Sequence, residues 1–356
     1  MRTITEWRQW LGNEVGDAVP ESSREITIAT LAGMATAYGN HYAWKLKNVD
    51  LHDVETTVDG SLVNPATFRS SRKYSLAGKI DKVCTMDGEL CIVDHKTTSF
   101  DIGDPDSQFW RQLSVDTQAS MYYMLMLQNE QRPTRIVWDV VRKPRIRPKL
   151  LSKKFLAEMD SPPEDGIESI EMFADRVYSS ISDDPFKYFQ QRSIVINPHE
   201  LAEFMEDVWD IGQEIGTAAR TNRHPKNPSA CMLYNTPCNY LGVCSRHDDF
   251  ESGKWRQSDV TNPELGGSED GNVITNSRMR CFLSCRRKHD YRYNKRWTRV
   301  EEPHREALFF GTLWHNVMDL IWTELTEVNA NANSKESCPA IGVGQSAEAD
   351  CDGDRE

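Results

Sequence analysis

The stretch LAGKIDKVCTMDGELCIVDHKTTS, residues 76–99, decides how this chain is read. It divides into two short strands joined at Asp87–Gly88, a dipeptide suited to a tight hairpin turn. Side chains alternate along a strand, so Asp94 and Lys96 project to one side, and Leu90 and Ile92 continue that stripe inward. Asp81 comes from the neighbouring strand, which brings all three groups toward one small volume. Two carboxylates and an ammonium at a strand end form a cation site with a lysine beside it. Hard oxygen ligands suit magnesium or manganese, which lowers the pKa of water, while the ammonium steadies hydroxide or the charge building on a phosphate. The chemistry these residues suit is hydrolysis of a phosphodiester.

The order Gly78-Lys79-Ile80-Asp81, then Asp94-His95-Lys96-Thr97-Thr98, then Gln118 and Tyr122 resembles the PD-(D/E)XK nuclease superfamily. Within it, the pattern is most similar to the RecB-like exonuclease branch and the related phage and CRISPR-associated nucleases. The resemblance implies an α/β fold: a restriction-endonuclease-like core with a mixed central sheet flanked by helices, plus a cysteine-rich subdomain. It also implies that Asp81 and Asp94 bind magnesium or manganese, with the backbone carbonyl of His95 as a further ligand and Lys96 positioning or activating water. Gln118 and Tyr122, one helical turn apart, share a face. The glutamine is expected to reach a phosphate or the attacking water, and the tyrosine the DNA backbone. Glu55 matches the place where related phage nucleases carry a glutamate on the preceding strand; metal binding and pairing with a base both stay open for it.

With 38% hydrophobic and 27% charged residues, the 356-residue chain belongs with globular proteins rather than disordered ones. No apolar run approaches the roughly 18 residues of a membrane span, and MRTITEWRQWLGNEVGD lacks the apolar core of a signal peptide, so no membrane association and a cytoplasmic location are expected. The net charge of −12 argues against a nucleic-acid partner. Its distribution argues back. Residues 142–154, RKPRIRPKLLSKK, carry seven basic side chains and no acidic one, and residues 277–305 carry ten Lys or Arg against three acids. Each stretch is either a solvated face or part of a DNA groove.

Periodicity predicts helices around Trp7, Trp10 and Leu11 and from about Ser23 to Lys45, the latter presenting Ile26, Leu31, Met34, Tyr38, Tyr42 and Trp44 to a sheet. Residues 51–58 read as an edge strand, Trp110 to Asn129 as one helix, residues 135–141 as a buried strand, and Ile167–Ile181 and Pro198–Ala219 as further helices. His41, a lone histidine on a helix, receives no role.

Nine cysteines in a cytosolic chain point to metal or cluster ligands, or to buried thiols, rather than disulfides. Cys231, Cys238 and Cys244 share one loop with a proline and a glycine, and a fourth thiolate is needed to close a zinc site or a cubane. In cluster-bearing RecB-like nucleases the fourth ligand lies in a segment of the form Ser-x7-Cys-x2-Lys. Cys285, eight after Ser277 and three before Lys288, matches that segment and Cys281 does not. The resemblance therefore implies a four-iron four-sulfur cluster on Cys231, Cys238, Cys244 and Cys285. Zinc is the alternative, and packing without any metal a third. The six residues between Cys231 and Cys238 depart from the two common in such nucleases. Cys84 and Cys91 are read as small core residues.

In that family the cysteine segment and a Gly-x-x-x-His helix usually come first. Here Gly311-Thr312-Leu313-Trp314-His315 comes last. The expectation is one permuted nuclease domain. Residues 1–244 hold the core and end in the cysteine cluster, 245–276 form a flexible linker, 277–322 return the N-terminal motif, and 323–356 form a disordered acidic tail. His315 is expected beside Asp81 and Asp94 as a metal ligand, with Asp319 one turn on taking its other ring N–H. Cys338 and Cys351, in the tail, are not ligand candidates.

The function expected is a metal-dependent DNA nuclease, an exonuclease or DNA-processing enzyme of phage or prophage type. A helicase, a recombinase or another phage replication or recombination protein is the expected partner. The alternatives are a non-catalytic DNA-binding or repair-complex subunit that keeps the fold, and a cysteine-metal interaction module on a degenerate core.

Overall fold

Asp87 and Gly88 both take positive φ (55° and 80°), the geometry of a two-residue hairpin turn whose twist matches its strands. That turn joins β2 (Ser70–Met86) to β3 (Glu89–Thr98), and around this hairpin the computed structural model builds a mixed sheet. Residues 1–15, 21–233, 236–266, 271–301 and 306–336 are described. Antiparallel to β2 on its outer side lies β1 (Val49–Val63); β3 pairs in parallel with β4 (Arg135–Arg142), and β4 antiparallel with β5 (Phe189–Ile194).

Helices cover both faces, giving three layers and the restriction-endonuclease-like α/β core expected from the sequence. On one face α1 (Ile4–Val15), α2 (Glu21–Leu46), α4 (Ile170–Asp183) and the C-terminal α7 (Glu306–Glu336) bury Tyr38, Phe173, Trp314 and Trp322 against Cys84, Cys91, Val93 and Val137 of the sheet. On the other, α3 (Thr117–Gln128), α5 (Pro198–Thr221) and α6 (Asn276–Ser284) bury Met121, Leu125, Phe204, Val208 and Phe282 against Leu62 and Leu76. The strand β4 is buried along both faces, which explains its unbroken run IVWDVV. Helix α5 starts where its sequence says it should: Asn197 and Glu200 form a reciprocal capping box, with Pro198 in the first turn.

Four expectations change. The helix expected from Trp110 to Asn129 is two, Gln108–Leu113 and α3, because Asp116 caps the second by accepting the Gln118 N–H. Trp44 is exposed rather than packed on the sheet. Residues 245–276, read as a flexible linker, contain β6 (Val273–Ile274), which pairs in parallel with Ser75 and Leu76 of β2 as a sixth strand. Trp255 of the same segment stacks on Tyr240, and Phe250 on Trp297. The polar composition of the segment hid these few apolar anchors. The acidic tail also begins as helix, since α7 runs to Glu336 and Glu324 pairs with Arg2 at 2.7 Å. Residues 337–356, with Cys338 and Cys351, lie outside the described residues.

Candidate active site and metal centre

Pairing between β2 and β3 runs from Met86↔Glu89 only as far as Lys82↔Val93. Beyond it the strands part, and β2 turns its earlier residues to β6. The fork leaves the His95 N–H without a strand partner, and Asp81 supplies one: its carboxylate accepts that N–H at 2.8 Å. Asp81 and Asp94 thereby face one cleft. Both carboxyls are pulled upward from their ordinary range. For Asp81 burial is the larger cause and the neighbouring Asp94 the next, opposed by His95 and Lys96, and the result is about 7. For Asp94 burial again raises and Lys96 opposes.

Lys96 is gripped from two sides. Its ammonium pairs with Asp94 and donates to Gln118 Oε1 at 3.0 Å, while the Trp138 ring lies 5.1 Å below it. Gln118 in turn donates to the Tyr122 hydroxyl at 2.6 Å, and that hydroxyl donates to the Lys79 carbonyl at 2.5 Å. Tyr122 is buried and fully engaged, so it does not reach toward the DNA backbone as expected; it ties α3 to β2 and holds Gln118 on the lysine. Gly78 makes room for it, since a Cβ there would stand 2.7 Å from the Tyr122 ring.

On β1, Glu55 stands opposite Asp81, between the pairs Val54↔Lys82 and Thr56↔Ile80, with a positive φ of 52°. A non-glycine residue holds that conformation at a cost of about 1–3 kcal/mol. Glu55 pairs with Lys79 at 2.5 Å. From the far end of the chain, α7 crosses the fork and sets His315 Nδ1 3.5 Å from Asp81 Oδ2. Burial first, and then the neighbouring His95, Lys96 and Lys82, hold the His315 imidazole down at about 3, so near neutral pH it is uncharged and offers a lone pair.

One ligand atom each from Glu55, Asp81 and His315 lies within 4.8 Å of the others, the geometry of a divalent-cation pocket with oxygen and imidazole donors. Asp94, expected as a ligand, is committed to Lys96 here. Asp319 does not take the His315 ring N–H: its carboxylate pairs with buried Lys82, and the imidazole hydrogen-bonds the His95 backbone instead. The His95 side chain points away from Asp94 and Lys96, onto the α7 face, its ring 6.1 Å from that of His315 and its Nδ1 2.9 Å from buried Asp139, which also receives the Tyr38 hydroxyl. Sequence reading gave Lys79, Lys82 and Asp139 no part; a charged residue inside an otherwise apolar strand, as at Lys82 and Asp139, was the available signal.

The four named cysteines also converge. The Asn227 backbone N–H meets Cys285 Sγ at 3.4 Å, and the Asn227 carbonyl meets Cys231 Sγ at 3.7 Å. The Cys231 carbonyl accepts the Cys238 N–H at 2.9 Å. The Cys244 thiol is pushed up by burial first and then by Cys238, with Cys285 and Cys231 contributing and Arg287 opposing. Among the described residues no three of these sulfurs come within 4.8 Å of one another. Cys281 is buried, and Cys84 and Cys91 face each other in the core as expected.

No helix among the described residues is long and apolar enough to cross a membrane. Compared with curated proteins, the chain finds no match. The family model of the PD-(D/E)XK nuclease superfamily matches residues 3–245, a span that contains the fork, Asp94, Lys96 and Gln118 and stops before Cys285 and His315. Covering more than half of the 356 residues, that match agrees with the fork and its lysine, and the chain belongs to the PD-(D/E)XK nuclease superfamily.

Proposed function

We propose that the chain is a magnesium- or manganese-dependent deoxyribonuclease of the RecB-like branch, an exonuclease or DNA-processing enzyme of phage type. The observation that carries this reading is Lys96, an ammonium held by Asp94 and Gln118 beside the Glu55–Asp81–His315 group. Buried acidic groups with raised pKa values beside a neutral imidazole suit a divalent cation, whose charge offsets their mutual repulsion. When bound, the cation supplies Lewis acidity toward the phosphate and a lower pKa for water. Glu55, Asp81 and His315 would hold it, with Asp94 and the His95 carbonyl at the border of its shell. Lys96 orients the attacking water and neutralises charge on the phosphate, and Gln118 fixes the direction of that ammonium.

DNA as substrate is supported by a cleft of about 330 Å³ lined by Ser99, Lys143, Arg145, Arg147, Thr30 and Phe310. Ser99 lies three residues beyond Lys96, so basic groups flank the site on a chain that is acidic overall. In this reading residues 277–322 stand in for the N-terminal motif of RecB-like nucleases, a permutation supported by α7 lying across the fork. Cys231, Cys238, Cys244 and Cys285 would carry a four-iron four-sulfur cluster, with zinc as the alternative. A helicase or recombinase is the partner in keeping with that branch.

The test compares linear and circular DNA, single- and double-stranded, incubated with wild type and Lys96→Ala in magnesium and in manganese, alongside iron, sulfide and zinc analysis of anaerobically purified protein. The proposal expects degradation that depends on Lys96, linear substrates degraded before circular ones, and iron with sulfide in equal amounts. No cleavage of any substrate by folded, metal-replete protein would replace it with the DNA-binding-subunit reading.

A further inference from the structure

Lys82 follows Asp81 directly on β2, and its side chain is fully buried on the face that α7 covers. Its ammonium has two partners, the Asp319 carboxylate and the backbone carbonyl of Asp81 itself at 3.1 Å. Asp319 stands one turn beyond His315 on α7, on the same helical face. The residue next to one candidate ligand is thus joined to the residue one turn from another. Apart from His315, which meets Asp81 and the His95 backbone, α7 packs on the sheet through the apolar side chains of Leu313, Trp314, Val317, Met318 and Ile321. Apolar burial is non-directional. Sliding the helix by one residue, about 1.5 Å, would part Lys82 from Asp319.

We propose that Lys82 and Asp319 form a positioning pair that fixes the axial register of α7 and so delivers the His315 imidazole to Asp81 at the divalent-cation site. The inference rests on the reading of Glu55, Asp81 and His315 as that site. Neither Lys82 nor Asp319 touches the cation or the substrate; both act through His315.

The experiment is calorimetric titration of manganese alone, without DNA, into wild type, Asp319→Asn, His315→Ala, the Asp319→Asn/His315→Ala double variant, and Lys82→Met/Asp319→Leu, with unfolding midpoints recorded in parallel. Partners that orient metal ligands contribute about 10–100-fold to affinity, so Asp319→Asn is expected to weaken manganese binding about tenfold. In the His315→Ala background the same substitution should change it less than about twofold, because the route through the imidazole is gone. Lys82→Met/Asp319→Leu replaces an ion pair whose lysine is fully buried with apolar groups, a change that often preserves stability. It should keep the wild-type midpoint yet bind manganese about tenfold more weakly, and it carries the test if Asp319→Asn does not fold. Additive effects of Asp319→Asn and His315→Ala, or wild-type affinity in Lys82→Met/Asp319→Leu, would overturn the pair while leaving the cation site standing. A wild type that binds no manganese would remove both.

Discussion

The hairpin of β2 and β3 and the C-terminal helix α7 bring side chains to the same few ångströms from very different distances along the chain. Asp81 and the His95 N–H that it accepts are 14 residues apart, whereas Lys82 and its partner Asp319 are 237 apart. In the hairpin half, sheet register and one turn fix every position, so the geometry follows locally. In the α7 half, a helix is laid across the fork by apolar packing and the Lys82–Asp319 ion pair, whose lysine is fully buried. The difference divides the labour of the proposed nuclease: the hairpin supplies the lysine that acts on the substrate, and the helix supplies an imidazole for the cation.

The largest effect is therefore expected at Lys96. Lys96→Ala removes the ammonium between Asp94 and Gln118, and cleavage should fall by about 10³-fold, within the range for one positioned acid–base or electrostatic group. Steady-state rates on linear DNA in manganese measure it, and raising the manganese concentration should recover nothing. His315→Ala is expected to differ in kind. Its manganese affinity should drop by about 10–100-fold, while cleavage returns substantially as the metal is raised. If both variants responded alike to added metal, the division between the two halves would be lost.

A smaller effect probes packing inside the hairpin half. Gly78→Ala would press a Cβ to 2.7 Å from the Tyr122 ring, and overpacking of that kind costs about 2 kcal/mol. Chemical denaturation should show that loss at unchanged manganese affinity, because α7 does not lean on Gly78.

The same division explains what could be read in the sequence. The α/β class, the hairpin and its turn, and the nearness of Asp81, Asp94 and Lys96 follow from period-two alternation and a two-residue turn, both local. Gln118 and Tyr122 were legible as one helical face, yet the break at Asp116 and the burial of the Tyr122 hydroxyl were not, since they depend on Lys79 and Gly78 across the interface. Glu55 could be placed on its strand, but its positive φ, between the pairs Val54↔Lys82 and Thr56↔Ile80, leaves no mark in the sequence pattern. Asp319 was assigned to His315 by helical spacing; its pairing with Lys82 is a tertiary fact that spacing within one helix does not contain. The strand β6 escaped notice because two residues, Val273 and Ile274, make no periodic signal of their own.

The smallest expected effect separates positioning from contact within the hairpin half. The Tyr122 hydroxyl accepts from Gln118 and donates to the Lys79 carbonyl, and the residue is buried. Tyr122→Phe keeps the ring that fills the space beside Gly78 and removes both hydrogen bonds. A buried hydrogen bond contributes about 1 kcal/mol net, so the denaturation midpoint should fall by a correspondingly small amount. Gln118 would lose the anchor for its amide and hold Lys96 less firmly, while Asp94 continues to pair with the ammonium. A cleavage rate reduced about threefold to tenfold, with unchanged manganese affinity, is the outcome for a group that acts through Gln118. A loss approaching that of Lys96→Ala would instead mean that the hydroxyl meets the substrate, and α3 would then have to move when DNA binds.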